Sequence, residues 1–277
     1  MQAKELTWTT PDQVQLHVKH WSLQQPKVLL CLVHGLGEHC GRYQHLAEYF
    51  AQAGVATLSY DQRGHGHSSG KRGHVTNYDC LLNDVELLLQ KGEELYPGVP
   101  QILYGHSMGG NVVLSYVLRR RPALAATITT GAWIQLTKQP PAIQVAFGRL
   151  MRSIFPAFTQ PSKLDPSHIS TVAAEVERYV ADPLIHSRIS SATGIDVIGA
   201  GQWLYDHQGE APMPMLIMHG GADLITDPAA SRRLAERLSG PVSYKEWPGM
   251  YHEIHHEAEP KAVFDFTLNW LKKYISL

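Results

Sequence analysis

The sequence predicts an α/β fold, a mainly parallel sheet with helices on both faces and an inserted, largely helical cap. Three observations carry that expectation. Short apolar runs alternate with amphipathic stretches, as buried parallel strands and their crossover helices should. Residues 101–114 (QILYGHSMGGNVVL) read as strand, sharp turn and helix, with Ser107 at the turn and a glycine two places to either side. From about residue 134 to 205 the rhythm lapses: prolines are frequent and no strand is evident until the pattern returns at Met213. A chain of 277 residues can bury a large core as one domain with an insertion.

Taken in order, residues 14–20 alternate, with Val14, Leu16 and Val18 apolar, which suits a half-exposed antiparallel strand. Residues 28–33 are almost all apolar, as a strand covered on both faces should be. A loop at 34–39 leads into a helical stretch to about Gln52, and residues 55–60 form the next strand before a glycine-rich loop at 61–70. Residues 83–95 space Val85, Leu88 and Leu89 as a helix does; the central strand and helix follow, then a strand at 125–130. Further strands are expected at 213–218 and 242–246, and a last helix at 260–274. The core is therefore assigned to residues 1–133 and 206–277, and the cap to 134–205, over the strand ends where doubly wound sheets bind ligands. Within the cap, Ile143, Phe147, Leu150, Met151, Ile154 and Phe155 mark a helix, and Ile143, Phe147 and Met151 are expected to line a greasy substrate channel.

Composition narrows the function classes. Apolar residues make up 44% and charged residues 18%, ordinary for a soluble globular protein. A net charge of −1 excludes a strongly basic nucleic-acid binder; the one basic triplet, Arg119 to Arg121, suits a helix C-terminus. The three cysteines make no paired framework, and Cys31 reads as a small core residue of its strand. The start carries no apolar leader, and no run approaches the ~18 apolar residues of a membrane span. The expectation is a soluble, reduced, cytoplasmic protein.

The chemistry centres on Ser107. A serine hydroxyl is a weak nucleophile at neutral pH and needs a base, itself held in one tautomer by a carboxylate. With the serine on a strand-to-helix turn, acid and histidine should follow in that order, in loops after later strands. Asp223 lies in such a loop, in HGGAD; Asp227 is its rival, although its place before Pro228 also suits a helix cap. His252 comes first after the turn that follows the last strand, whereas His255 and His256 begin the next helical stretch. Two backbone N–H groups should face the developing oxyanion: Met108, directly after the nucleophile, and Leu36, in the loop after the 28–33 strand. His34 and Asp61 are expected to brace their loops.

Two strings mislead. His252-Glu253-Ile254-His255-His256 satisfies the zinc-protease pattern H-E-x-x-H, but Glu259 stands where the longer motif has glycine, and the remaining residues supply no third ligand on a later helix. Gly35-x-Gly37 lacks the third glycine of a dinucleotide-binding turn. No metal or cofactor is expected.

With these residues in hand, the chain resembles the α/β-hydrolase superfamily, and within it the monoacylglycerol lipase and lysophospholipase group. The resemblance is carried by HGLGEHCGRY (34–43), DQRGHGHSSGKRGHV (61–75), YGHSMGG (104–110), VADPL (180–184), HGGAD (219–223) and GMYHEI (249–254), in the family's order. It implies an α/β-hydrolase fold, a Ser107–Asp223–His252 triad, Leu36 and Met108 at the oxyanion hole, and a cap over an acyl-chain tunnel. It also implies that the polar end near Glu38, Arg42 and His255 receives a glycerol moiety. Residues 168–171 depart from the family's more acidic pattern. The implied activity is hydrolysis of a small-molecule lipid ester, a monoacylglycerol, to fatty acid and glycerol. Lysophospholipase, short-chain carboxylesterase, acyltransferase and non-catalytic small-molecule receptor are the alternatives. No nucleic acid or obligate protein partner is implied; a transient contact between cap and membrane surface, with peripheral attachment, is left open.

Overall fold

The computed structural model describes residues 2–277. Its centre is an eight-stranded sheet: β1 (Lys4–Thr9), β2 (Gln15–Trp21), β3 (Val28–Val33), β4 (Val55–Tyr60), β5 (Gln101–His106), β6 (Ala126–Thr130), β7 (Met215–Gly220) and β8 (Val242–Trp247). The strands lie in the order β1-β2-β4-β3-β5-β6-β7-β8. Only the β1–β2 and β2–β4 pairs are antiparallel; every later pair is parallel. This is the architecture expected from the alternation. β1 was not anticipated. Its Leu6 and Trp8 alternate with Glu5 and Thr7 at an edge, too short a half-exposed pattern to stand out.

The continuous apolar strands are explained by two covered faces. In β3, Val28, Leu30 and Leu32 point into a layer with α1 (Gln44–Ala51), which supplies Leu46 and Phe50, and α8 (Pro260–Leu271), which supplies Val263, Phe264 and Leu268. Leu29, Cys31 and Val33 face the other layer, beside α2 (Tyr78–Leu95), α3 (Met108–Arg120) and α7 (Pro228–Arg237). α2 starts earlier than its apolar spacing suggests because Asn77 caps it, its side chain accepting from Cys80 N at 3.1 Å. α8 ends three residues before the expected Tyr274.

Between β6 and β7 lie α4 (Ala142–Ile154), α5 (Ala173–Ala181) and α6 (Ser191–Asp206). Contrary to the expectation of no strand here, Thr159–Pro161 and Arg188–Ser190 pair as a short antiparallel ribbon. α6 belongs as much to the helix layer as to the cap: it packs on α3 and α7, burying Val197, Ala200 and Leu204. The rest sits over the ends of the parallel strands, held at two places. On one side His186 N donates to Gly37 O at 2.9 Å, Ser190 N donates to Gly73 O at 2.9 Å, and His39 Nε2 meets Asp182 at 2.9 Å. On the other, Glu253 N donates to Ile169 O at 2.7 Å and Ser170 Oγ to His256 O at 2.8 Å.

The glycine-rich loop after β4 is pinned by Arg63. Its guanidinium grips buried Asp84 of α2 through Nε and Nη2, both at 2.7 Å, and reaches Asp12 of the β1–β2 turn at 2.7 Å. Replacing Arg63 by Met leaves Asp84 buried without its cation, which typically costs ~3–5 kcal/mol. Urea unfolding of this variant should show a loss of that size; a loss under ~1 kcal/mol would mean that the loop is held by its other contacts.

Candidate active site

Ser107 stands between β5 and α3 with φ 53° and ψ −118°, a strained conformation for a residue with a side chain. The surrounding backbone overdetermines it. Ser107 N donates to Thr130 O at 3.0 Å, and its carbonyl accepts from Asn111 N at 3.0 Å and Trp133 N at 2.9 Å. The flanking glycines are required for space. A Cβ on Gly105 would lie 2.5 Å from Gly109 O, and one on Gly109 would lie 2.2 Å from Val33 O and 2.4 Å from His34 O. Close approach of three backbones thus sets the serine at the start of α3, where free N–H groups favour negative charge.

Asp223, in the loop after β7, meets His252 Nδ1 through Oδ2 at 2.7 Å. The same oxygen faces His219 Nε2 at 3.0 Å and accepts from Thr226 Oγ1 at 2.8 Å, while Oδ1 accepts from Ile225 N at 2.7 Å and Thr226 N at 3.0 Å. Burial opposes its charge, yet His252 and His219 hold the carboxyl well below the usual range. His219 contacts Ser231 Oγ through Nδ1, so its Nε2 is free to carry the proton toward Asp223. Asp227 instead caps α7, accepting from Ala229 N at 2.9 Å. Geometry therefore separates the two rivals: Asp223 reaches the histidine.

His252 is almost fully buried, and its Nε2 has no hydrogen-bond partner among the described residues. Burial depresses its basicity, but the charge and hydrogen bond of Asp223, with the charges of Glu253 and Glu38, outweigh this and raise its pKa. Ser107 and His252 share the walls of one narrow crevice with Gly35, Leu36 and Glu38 from the loop after β3, and with Leu164, Ile169 and Tyr179 from the cap. An unpaired imidazole nitrogen beside a strained serine is equipped to accept the hydroxyl proton once substrate closes the gap. Leu36 lies on the crevice wall, and Met108 is buried as the first residue of α3, so both are placed beside the serine.

Of the polar trio, only Glu38 lines this crevice. Its Oε1 accepts from Gly35 N at 2.6 Å and Tyr43 Oη at 2.8 Å. Arg42 donates to Glu38 at 2.9 Å and to both oxygens of Glu253 at 2.6 and 2.7 Å, with its guanidinium over the Tyr179 ring. Arg42 does not itself line the crevice, but three of its N–H groups are committed to two carboxylates that do. His255 does not reach the crevice either. The turn at Ile254–His256 sends its ring inward to stack on Tyr43 at 5.0 Å, with neither nitrogen hydrogen-bonded among the described residues.

The channel residues need correction more clearly. Ile143 is 81% exposed and Phe147 54%, and neither lines the crevice or the cavity beside it. α4 rests on α6 through the opposite face, where Gly148 abuts Ile195 and Arg152 pairs with Asp196. Met151, half-buried near that contact, lines neither space. Leu164 and Tyr179, which sequence reasoning missed, occupy the wall instead. Leu164 lies in irregular chain with no periodicity to mark it, and Tyr179 is the one buried residue of the short helix α5. Thr226 and His219 were missed too, although His219 opens the HGGAD string at the end of β7.

The H-E-x-x-H string is not on a helix, as a zinc site of that type needs: only Ile254–His256 forms a short turn, and His252 Nδ1 is committed to Asp223. Glu253, His255 and His256 lie close enough to share an ion, but both Glu253 oxygens are already bound by Arg42. His17, Cys40 and Asp61 form a second such group, in which Asp61 accepts from Cys40 N and His67 N, bracing its loop as expected.

The family described as Serine aminopeptidase, S33 matches residues 24–259. An uncharacterized abhydrolase domain-containing protein of Dictyostelium discoideum is 33% identical over 270 residues; the match covers 96% of this chain but only 28% of that protein. A monoacylglycerol lipase of Mycolicibacterium smegmatis is 32% identical over 252 residues, 90% of each chain. A solved monoacylglycerol lipase structure from Paleococcus ferrophilus superposes with a TM-score of 0.84 at 30% identity, covering 99% of this chain and 100% of that one. The chain belongs to the family described as Serine aminopeptidase, S33, within the α/β-hydrolase superfamily, where it is similar to monoacylglycerol lipases.

Proposed function

We propose that the protein hydrolyses monoacylglycerols to fatty acid and glycerol through an acyl-enzyme on Ser107. The observation that carries this reading is the buried Asp223–His252 pair at 2.7 Å, with Nε2 unpartnered in the crevice that holds Ser107. Ser107 Oγ attacks the ester carbonyl as His252 Nε2 takes its proton, and the backbone N–H groups of Leu36 and Met108 receive the oxyanion. Collapse of the tetrahedral adduct expels glycerol, which leaves with the proton from His252. Water, activated by the same imidazole, then releases the fatty acid. Similarity to proteins named monoacylglycerol lipase supports the substrate class. The family description names an aminopeptidase, which must hold a substrate ammonium. The two carboxylates of this crevice, Glu38 and Glu253, already share the Arg42 cation, which disfavours that role.

The acyl path follows from the corrected walls. Leu36, Leu164 and Tyr179 also line an adjoining cavity of about 200 Å³ that continues past Pro166, Val180 and Ile185. If a methylene needs roughly the volume of a water molecule, ~30 Å³, the cavity accommodates about seven. This favours medium-length chains, and a short-chain carboxylesterase is the second reading. Residues 134–205 act as the cap in this scheme. The unpaired state of Cys31, Cys40 and Cys80 supports a reducing, cytoplasmic setting.

With monoacylglycerols of graded length, kcat/KM should rise, by up to ~0.8 kcal/mol per methylene, and level off near eight to ten carbons. Ser107→Ala should lose at least ~10³-fold and no longer react with a fluorophosphonate. Aminoacyl anilides cleaved faster than any ester would overturn the reading. Asp223→Asn should impair kcat far more than Asp227→Asn, which removes only a cap worth ~1 kcal/mol. The reverse ranking would reassign the acid.

No helix among the described residues is long and apolar enough to cross a membrane. The outward stripe of α4, with Ile143, Phe147, Leu150 and Ile154 exposed on a helix whose charged residues are Arg149 and Arg152, suits a transient anionic lipid surface. Phe147→Asp should weaken co-sedimentation with anionic vesicles while leaving turnover of a soluble short ester unchanged. Equal losses in both assays would assign Phe147 to the site.

A further inference from the structure

Glu253 follows the catalytic-loop histidine directly, is almost fully buried, and is tied to three separate parts of the molecule. Its N–H donates to Ile169 O of the cap at 2.7 Å. Its carboxylate takes both terminal nitrogens of Arg42, at 2.6 and 2.7 Å, and faces His256 Nδ1 at 2.9 Å. Arg42 passes the connection to Glu38 at 2.9 Å, and Glu38 accepts from Gly35 N at 2.6 Å, beside Leu36. The Tyr179 ring of α5 lies against the guanidinium, 4.8 Å from its carbon to the ring centroid. One chain of charge-assisted contacts thus joins the loop of the oxyanion-hole residue, the loop of the base and the cap. The two carboxylates exceed the single guanidinium by one negative charge, close to His252.

We propose that Glu253 is a positioning residue of the reaction: through Arg42 it holds the His252 loop and the Gly35–Leu36 loop at a fixed separation, and its charge sets the pH at which His252 becomes an active base. The inference rests on the reading of Ser107 and His252 as nucleophile and base.

The sign follows from the groups around His252. Asp223 touches it, with His219 behind; His106, at the end of β5, has its ring 4.8 Å away. Glu38 and Arg42 approach from the loop after β3, Tyr179 comes from the cap, and Glu253, His255 and His256 lie on its own loop. Burial pushes His106 down to about 4 and His255 well below its ordinary value, so neither carries charge near neutrality. Burial also works against the charge on Glu253 and Glu38, but Arg42 keeps both ionised. Both carboxylates favour the protonated His252, as Asp223 does more strongly. Removing one anion therefore makes neutral His252 persist to lower pH.

The test uses Glu253→Gln and Arg42→Lys in the full chain, with a soluble p-nitrophenyl ester and, separately, the rate of fluorophosphonate labelling. Glu253→Gln should move the acid limb of kcat/KM down by ~0.5 pH unit or more and lower kcat by ~10-fold through the loosened loops. Arg42→Lys keeps the charge but loses the fork, so kcat should fall while the acid limb stays in place. Wild-type limb and kcat per labelled serine in both variants, with only thermal stability reduced, would overturn the proposal. So would failure to recover either variant folded, since the network would then be structural. A wild-type protein that is neither labelled nor active on esters would instead refute the nucleophile assignment.

Discussion

Everything at this site depends on how closely three backbones approach around Ser107. The end of β5, the first turn of α3 and the loop after β3 come within the reach of a single Cβ, because Gly105 and Gly109 have none. That contact fixes the serine in a conformation of low intrinsic probability and places the Leu36 loop beside it. The cost of the strained dihedral, ~1–3 kcal/mol, is offset by three backbone hydrogen bonds to the Ser107 peptide groups and by the packed strands on either side. Substituting either glycine acts first on the geometry between nucleophile and oxyanion site, since the obstructing atoms are carbonyls of neighbouring backbone rather than flexible side chains.

The electrostatics are arranged in two buried groups with different duties. Asp223 is surrounded by donors from its own loop and from two histidines, so its charge is stabilised in one orientation and directed at His252. Arg42 is the inverse case, one cation divided between two carboxylates from different loops. A buried ion network contributes little net stability compared with well-packed apolar groups, whereas its geometry is strict. That balance suits a device that sets distances between loops.

Much of this was legible in the sequence, and the reasons are specific. Strands β3 and β7 announce themselves because a sheet buried on both faces needs uninterrupted apolar runs, and Asp223 and His252 follow from their places in the loops after β7 and β8. β1 escaped because an edge strand shows only half a pattern. The inward turn of His255 and the occupation of Arg42 escaped because they are decided by long-range partners, Tyr43 and Glu253, which local spacing does not reveal. For α4, periodicity correctly gave a helix with an apolar stripe but carried no information about which neighbour that stripe faces.

The cap turns that ambiguity into a division of labour. A segment of this size has limited apolar surface, and here it is partitioned. The long, regular stripe of Ile143, Phe147, Leu150 and Ile154 points outward, while the wall over Ser107 is built from single residues, Leu164 and Ile169 of irregular chain and Tyr179 of α5. The inner residues sit beside the clamped points, Ile169 being itself the acceptor of Glu253 N–H. α4 has no buried residue and contacts the rest mainly through α6. α4 is thus supported mainly by one neighbour outside the site, whereas the crevice wall cannot move without disturbing the loop of His252. A lipid surface that engages the stripe would therefore leave the catalytic geometry intact.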